Sequence, residues 1–503
     1  MSTEKIDRPP QVSPSGNEKE EWDVPGTTEK GITSRFRGRD LGRRLRKIGI
    51  ETRGVKPVPE EGRQDTKIYK IFFVWFSAGC NILSFSGGTL GPAIFGLGIG
   101  DSCLTILFFN LVFCIMPAYA MTWGPKTGMR QMVISRYSFG YYGILLICLL
   151  NLIGMCGFSI LNCILGGQTL ASVSGRNLSG TIGIVIIGVI SLFVSFCGHT
   201  VLHWYERIAW FPVLLTFIIA LGLNGKELGN TTFQPATARV VLSFASTLAG
   251  FTVAWTPLGS DYTIYYRPDV SSWGLFLWAY LGLSLPIILL ECTGAAVAAS
   301  VPSIPLWEQA YNNGNVGGLF AVMLRPVHGF GKFLTVLLSL SVIGNIALSF
   351  YSMSLNLQLI APVFLKVPRY IFSVVGTAIV VALAIVGQHK FYDTLVNFLS
   401  LLGYWTGAYA TIIFLEHLYF RKGKFALYNP AAWNSPGLLP TGAAAVAAGI
   451  LSFGVVVPCM NQVWFVGPIA KRTGDIGFEM AFVVSAILYF VFRTIEIRWT
   501  DRL

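Results

Sequence analysis

Twelve stretches of this chain read as apolar runs of about the length that crosses a bilayer, roughly 20 residues as a helix. We place them at 70–97, 102–123, 134–166, 181–200, 207–224, 240–265, 274–298, 333–360, 370–387, 393–418, 438–458 and 477–494. Only 12% of the residues are charged, against about 25% in soluble domains. So few charges cannot clothe a water-facing surface on 503 residues. Mean hydropathy is +0.60, and the 54 glycines suit close helix packing in lipid. The expected class is an all-α polytopic membrane protein.

The net charge of +12 points to loops facing anionic lipid, not to nucleic acid. Residues 1–66 are polar and lack the apolar core of a signal peptide, so a largely disordered tail is expected. Its basic part, Ser34–Arg53, has two readings: an amphipathic helix on the membrane or a tail in solution. Lys and Arg are denser in alternate loops, and this bias predicts both termini inside. The sequons at Asn177 and Asn230 then fall outside. The nine cysteines form no CxxC pair or metal cluster and read as small buried hydrophobes, so no metal is expected. The linker 299–332 carries PLWEQAY and VGGLFAVML, which read as short interfacial or re-entrant pieces outside the main bundle.

Two spans look broken. The first places Asn81, Ser84 and Ser86 at its middle, then Gly87, Gly88, Gly91 and Pro92, and this predicts unwinding there. The sixth meets Pro257, Gly259, Ser260 and Asp261 within five positions. Broken backbone at mid-membrane is tolerated only beside protein or a water-filled cavity. Interruptions at matching places in two halves point to a transporter site. The halves would be 67–225 and 226–420, followed by two further helices and a tail in 421–503.

WFSAGCNILSFSGGTLGP, GPKTGMRQMVISRYSFGYYG, NCILGGQTLASVSG and AWTPLGSDYTIYYRP resemble the nucleobase–cation symporter family, nearest to its fungal purine–cytosine permease branch. The likeness runs from Tyr69 to Arg493. It implies the leucine-transporter-type fold, with twelve helices and spans 1–5 and 6–10 as inverted repeats. A bundle of spans 1, 2, 6 and 7 would move against a scaffold of 3, 4, 8 and 9. It implies uptake of cytosine, adenine, guanine or hypoxanthine by proton symport at the plasma membrane, with no cofactor.

Carried over by residue, the resemblance implies that Trp255 stacks on the base and Asn345 hydrogen-bonds it. The polar position of the first span is Ser84 or Ser86, and Glu206 takes part in transport. Two positions depart from the pattern. Where many members carry a second tryptophan, this chain has Phe158, with Asn162 nearby for a polar role. Phenylalanine stacks with less area and no N–H. The departure opens the alternative of another flat heteroaromatic substrate, such as pyridoxine. The Ser–Thr pair of sodium-driven members is here Ser339 and Leu340. Losing a hydroxyl weakens an oxygen-built cation site and favours protons.

The residues support these roles on their own chemistry. A flat base needs aromatic walls and an edge group that both donates and accepts. Trp255 has the alternative of a packing aromatic, and Asn345 that of bridging helices. Ionisable residues within spans are functional hypotheses by default. Asp261 reads as a gate latch to Arg267 or Lys126, while Glu206 and Glu291 both stand as proton acceptors; Glu416 lies near a span end. The five histidines sit near span ends and receive no role. The tenth span, rich in Gly and aromatics, reads equally as an outer gate or as packing surface. No HExxH or GxSxG set supports an intramembrane enzyme, and the paired breaks argue against a channel.

Overall fold

The computed structural model describes residues 54–502, except 176, 197, 229–234, 362, 365–366 and 368. The side chains of 196, 198–206, 369 and 370 also lie outside the described residues. The basic tail, the Asn230 sequon and the Glu206 side chain therefore lie outside them.

Each of the twelve apolar stretches holds helix. Among the described residues, eight helices are long and apolar enough to cross a membrane singly. A bent pair, Lys70–Gly79 and Ile82–Ala93, makes span 1. One of the eight, Ile371–Phe420, contains two spans, because the chain turns at Gln388–Lys390 between Arg369–Gly387 and Phe391–Leu415. The short apolar helices Gly180–Phe196 and Ala443–Cys459 are spans 4 and 11. The rest are span 2 (Ile99–Thr127), span 3 (Gln131–Val173), span 5 (Gly198–Asn224), span 6 (Ala238–Tyr262), span 7 (Ser272–Ser300), span 8 (Arg325–Ile360) and span 12 (Gly477–Thr500).

Span 1 breaks earlier than its glycines suggest. The chain bends by 53° at Cys80–Asn81, and Gly87, Gly88 and Gly91 lie inside regular helix. Asn81 explains the position: its side chain accepts from the N–H groups of Leu83 and Ser84 and so caps a new helix. The glycines serve packing instead. A Cβ on Gly88 would lie 1.8 Å from the backbone oxygen of Glu291, so spans 1 and 7 touch backbone to backbone.

Span 6 also breaks upstream of the expected Pro257. Its α-helix ends at Thr252, and Val253–Tyr262 continues as 3-10 helix. Trp255 therefore sits within the rewound segment. Pro257 lacks an N–H, and the tighter helix shifts every following side chain around the axis.

The linker after span 7 is not detached from the bundle. Pro305–Met323 is helical with a break at Asn315, and its second part buries Val316, Leu319, Phe320 and Met323. Phe320 lies against Phe85 of span 1, ring centroids 4.8 Å apart.

Two buried polar clusters tie the ends of the bundle. Glu416 accepts from Arg421 at 2.9 Å, Arg493 at 3.0 Å and Tyr489 at 2.8 Å, and Arg493 also pairs with Glu496. Between spans 11 and 12, after the small hairpin Asn461–Gln462 with Phe465–Val466, Asp475 accepts from Ser246, Tyr404 and the N–H groups of Asn461 and Gly477. It thereby joins spans 6, 10 and 12. Burial pushes the Asp475 carboxyl up from its ordinary value, and the four donors pull the other way.

Candidate functional site

The two span breaks and the middle of span 3 converge on an aromatic pair. Phe158 and Trp255 lie face to face, centroids 5.8 Å apart and planes inclined by 18°. Both are buried. Phe251 and Phe398 close two edges of Phe158, at 6.1 and 5.4 Å in T-shaped contact. Gly157 permits the second contact, since a Cβ there would meet the Phe398 ring.

One helical turn past Phe158, Asn162 donates to the Phe158 carbonyl at 2.8 Å and to Asn345 Oδ1 at 3.1 Å. Asn345 in turn reaches the carbonyl of Ala78 at the span 1 break, 3.4 Å away. Four of the expected residues, Phe158, Trp255, Asn162 and Asn345, are thus drawn together. Asn162 Oδ1 is buried without a hydrogen-bond partner. A buried carbonyl oxygen left unpaired is costly unless something else satisfies it.

Trp75, which sequence reasoning passed over, belongs to the same group. Its ring meets Trp255 edge-on at 5.1 Å and Tyr262 at 5.3 Å, and its Nε1 is buried and unpartnered. The signal was its place five residues before the Cys80 break, within the quoted motif. Asn151 was also passed over: it lies seven residues before Phe158 on the same helix face, fully buried, with both amide atoms unpartnered.

The other expected residues lie elsewhere. Ser84 donates to the Gly79 carbonyl at 2.6 Å and Ser86 to the Ile82 carbonyl at 2.9 Å, so both hydroxyls are engaged with span 1 itself. Ser339 donates to the Val336 carbonyl at 2.8 Å. Its neighbour Ser341 accepts from the N–H of Ile82 at 3.1 Å, joining span 8 to the restart of span 1. Glu291 is fully buried between spans 1, 2 and 7 and accepts from Asn110 at 2.6 Å. Glu206 lies outside the described side chains.

Asp261 is held at the start of span 3, by other partners than those expected for it. Its carboxylate accepts from the N–H of Gln131 at 2.9 Å and from Ser352 at 3.3 Å, while Arg130 donates to its backbone carbonyl at 2.9 Å. Ser260 adds a bond to Gln131 Oε1 at 2.7 Å. Arg267 is paired with Asp269, and Lys126 binds the carbonyls of Pro268 and Val270. The loop bases are held by their own neighbourhood, and the 3-10 helix turns Asp261 toward the start of span 3.

The chain from residue 57 to 479 matches the family model described as permease for cytosine/purines, uracil, thiamine, allantoin. This protein is a member of that permease family. The purine-cytosine permease fcyB of Emericella nidulans is 35% identical, with 98% of each chain covered. A vitamin B6 transporter of Saccharomyces cerevisiae is 27% identical, covering 91% of this chain and 89% of its own. Mhp1, a nucleobase-cation-symport-1 family transporter crystallised with bromovinylhydantoin bound, superposes with a TM-score of 0.64 at 14% identity, covering 89% of this chain and 96% of Mhp1. The permease therefore has the leucine-transporter-type fold and is a multi-pass membrane transporter, with the aromatic pair at the junction of its broken and unbroken helices.

Proposed function

We propose that this permease takes up cytosine and purines such as adenine, guanine and hypoxanthine across the plasma membrane, together with protons and with both termini in the cytoplasm. The parallel pair of Phe158 and Trp255 beside the amides of Asn162 and Asn345 carries the reading. Aromatic faces suit a flat ring, and an Asn side chain both donates to and accepts from its edge. The likeness to the purine-cytosine permease of Emericella nidulans supports the substrate class.

The pair also supports a mode of transport. Trp255 stands on the broken span 6, and Phe158 on the continuous span 3. A third ring between them would need about 7 Å, twice the optimal ~3.5 Å contact distance. Their 5.8 Å separation is too small for that. Binding therefore drives spans 3 and 6 apart, and substrate shifts the equilibrium between arrangements by preferring the wider one. The Asp261 latch to the start of span 3 opposes the same separation.

Proton coupling rests on the oxygen set at the span 1 break. The Ala78 carbonyl accepts from Asn81 and Asn345, and the Gly79 carbonyl from Ser84. These oxygens are engaged by side chains, and Leu340 supplies no hydroxyl.

A second reading is vitamin B6 uptake, favoured by the match to the Saccharomyces transporter and by Phe158 in place of a larger tryptophan wall. One experiment separates the two. Uptake of labelled cytosine is measured in permease-deficient yeast at acid and neutral pH, with Trp255→Ala and Asn345→Ala at matched surface level. Saturable, acid-stimulated uptake lost in both variants upholds the base carrier. No cytosine uptake from a surface-localised protein, with pyridoxine uptake instead, replaces it with the second reading.

A further inference from the structure

We infer that Glu291 is the proton-binding residue of this permease and that it reports its protonation to the span 6 break through Asn110 and Thr252. The inference rests on the proton-coupled reading above and gives it a location.

Glu291 is completely buried in the middle of span 7. Its Oε2 accepts from Asn110 Nδ2 of span 2 at 2.6 Å, and its Oε1 has no hydrogen-bond partner. That free oxygen lies against span 1, 3.4 Å from the position a Cβ on Gly87 would take. Phe251 of span 6 packs on the same side of Gly87. Among the described residues no Lys, Arg or His pairs with the carboxyl; the titratable groups around it are the thiols of Cys114 on span 2 and Cys292 on span 7. An ionised carboxylate so placed has one amide and no counter-charge, and burying an unpaired charge costs several kcal/mol. A protonated carboxyl fits: it accepts through Oε2 and holds its proton on Oε1.

The second half of the link is geometric. Asn110 uses its other amide atom, Oδ1, to accept from Thr252 Oγ1 at 2.7 Å. Thr252 is the last residue of the α-helical part of span 6, three before Trp255. Loss of the proton leaves a charge that recruits every available donor. Asn110 is the donor already bound to it, and any rotation of Asn110 breaks the bond to Thr252. The carboxyl thus touches spans 1 and 2 directly and span 6 through one side chain. Protonation favours the packed arrangement; the charged form favours one that admits water or new donors between spans 1 and 7.

The test uses purified full-length protein in liposomes with an internal pH dye. Wild type should acidify the interior when cytosine is added outside, and an inward proton gradient should drive cytosine accumulation. Glu291→Gln mimics the protonated carboxyl. It should retain exchange of labelled for unlabelled cytosine, while base-induced acidification and gradient-driven accumulation fall to the level without a gradient. Acidification by Glu291→Gln equal to wild type overturns the inference. If Glu291→Gln does not fold, Glu291→Asp carries the test: a displaced pH profile of uptake is expected, and a profile identical to wild type overturns it. Absence of base-induced acidification in wild type would overturn the proton-coupled reading itself, which separates the two failures.

Discussion

Asn162 donates its side-chain amide to Asn345 across 3.1 Å, and so fixes which edge each residue presents beside Phe158 and Trp255. The bond spends one hydrogen of Asn162 and the oxygen of Asn345. It leaves Asn162 Oδ1 unpartnered, while Asn345 Nδ2 makes only a long contact to Ala78. One acceptor and one weakly held donor therefore face the same interior, a complement for the edge of a heteroaromatic ring.

Removing either amide should weaken substrate binding. Asn345→Ala strips the donor but leaves the Asn162 amide bound to the Phe158 carbonyl, whereas Asn162→Ala removes the acceptor and also orphans Asn345 Oδ1. A lost buried hydrogen bond costs about 1–3 kcal/mol, or roughly 5–150-fold in affinity. Asn162→Ala is expected to be the more damaging. The check is KM for labelled base at matched surface level; a KM unchanged in both variants would remove the amides from the site.

The aromatic walls can be separated by size and by polar handle. Phe158→Ala should raise KM by about 2–10-fold, the worth of an aromatic pair. Trp75→Phe keeps most of the ring that supports Trp255 and Tyr262 but loses the buried Nε1 donor. If that N–H meets substrate, Trp75→Phe should change the ranking of competing purines and pyrimidines while surface level stays unchanged. Competition assays read the ranking, and an unaltered ranking assigns Trp75 to packing alone.

The glycines of span 1 should divide sharply. Gly88→Ala puts a methyl 1.8 Å from the Glu291 carbonyl oxygen, where only backbone movement can relieve it. Gly87→Ala meets the Glu291 carboxyl at an ordinary 3.4 Å. We expect Gly88→Ala to abolish surface expression and Gly87→Ala to retain it, as fluorescence of a tagged protein would show. Normal surface expression of Gly88→Ala would contradict the backbone contact between spans 1 and 7.

Asp475 offers a pH prediction. Its carboxyl is held above the ordinary value near 3.8 because burial outweighs its donors. The folded state then binds the proton more tightly than the unfolded chain does, so the stability contribution is full below that ordinary value and declines as pH rises through the raised one. The thermal midpoint of wild type minus that of Asp475→Asn, whose amide stays neutral, should fall as pH rises through the carboxylate range. Thermal unfolding of the detergent-solubilised protein at several pH values checks it, and a difference that grows with pH would reverse the sign.

The length and spacing of the apolar runs determined the class, the number of helices and the two broken spans, because a bilayer core demands about 20 apolar residues and internal satisfaction of the backbone. The motifs around Asn81, Phe158, Trp255 and Asn345 also marked the region of the site. Sequence did not determine where the spans break. Gly and Pro composition pointed to Gly87–Pro92 and Pro257, yet the breaks stand at Cys80–Asn81 and after Thr252, because a cap from Asn81 and a close backbone contact at Gly88 outweigh intrinsic propensity. Trp75 joined the site, and Arg130 and Gln131 replaced the expected latch partners, only once the 53° bend and the 3-10 rotation had set the direction of each side chain. Which apolar segments must enter the membrane is a property of composition that can be read along the chain. Which of their side chains meet depends on helix rotation and bend, and those are settled by contacts between residues far apart in the chain, such as Ile82 with Ser341 at a separation of 259.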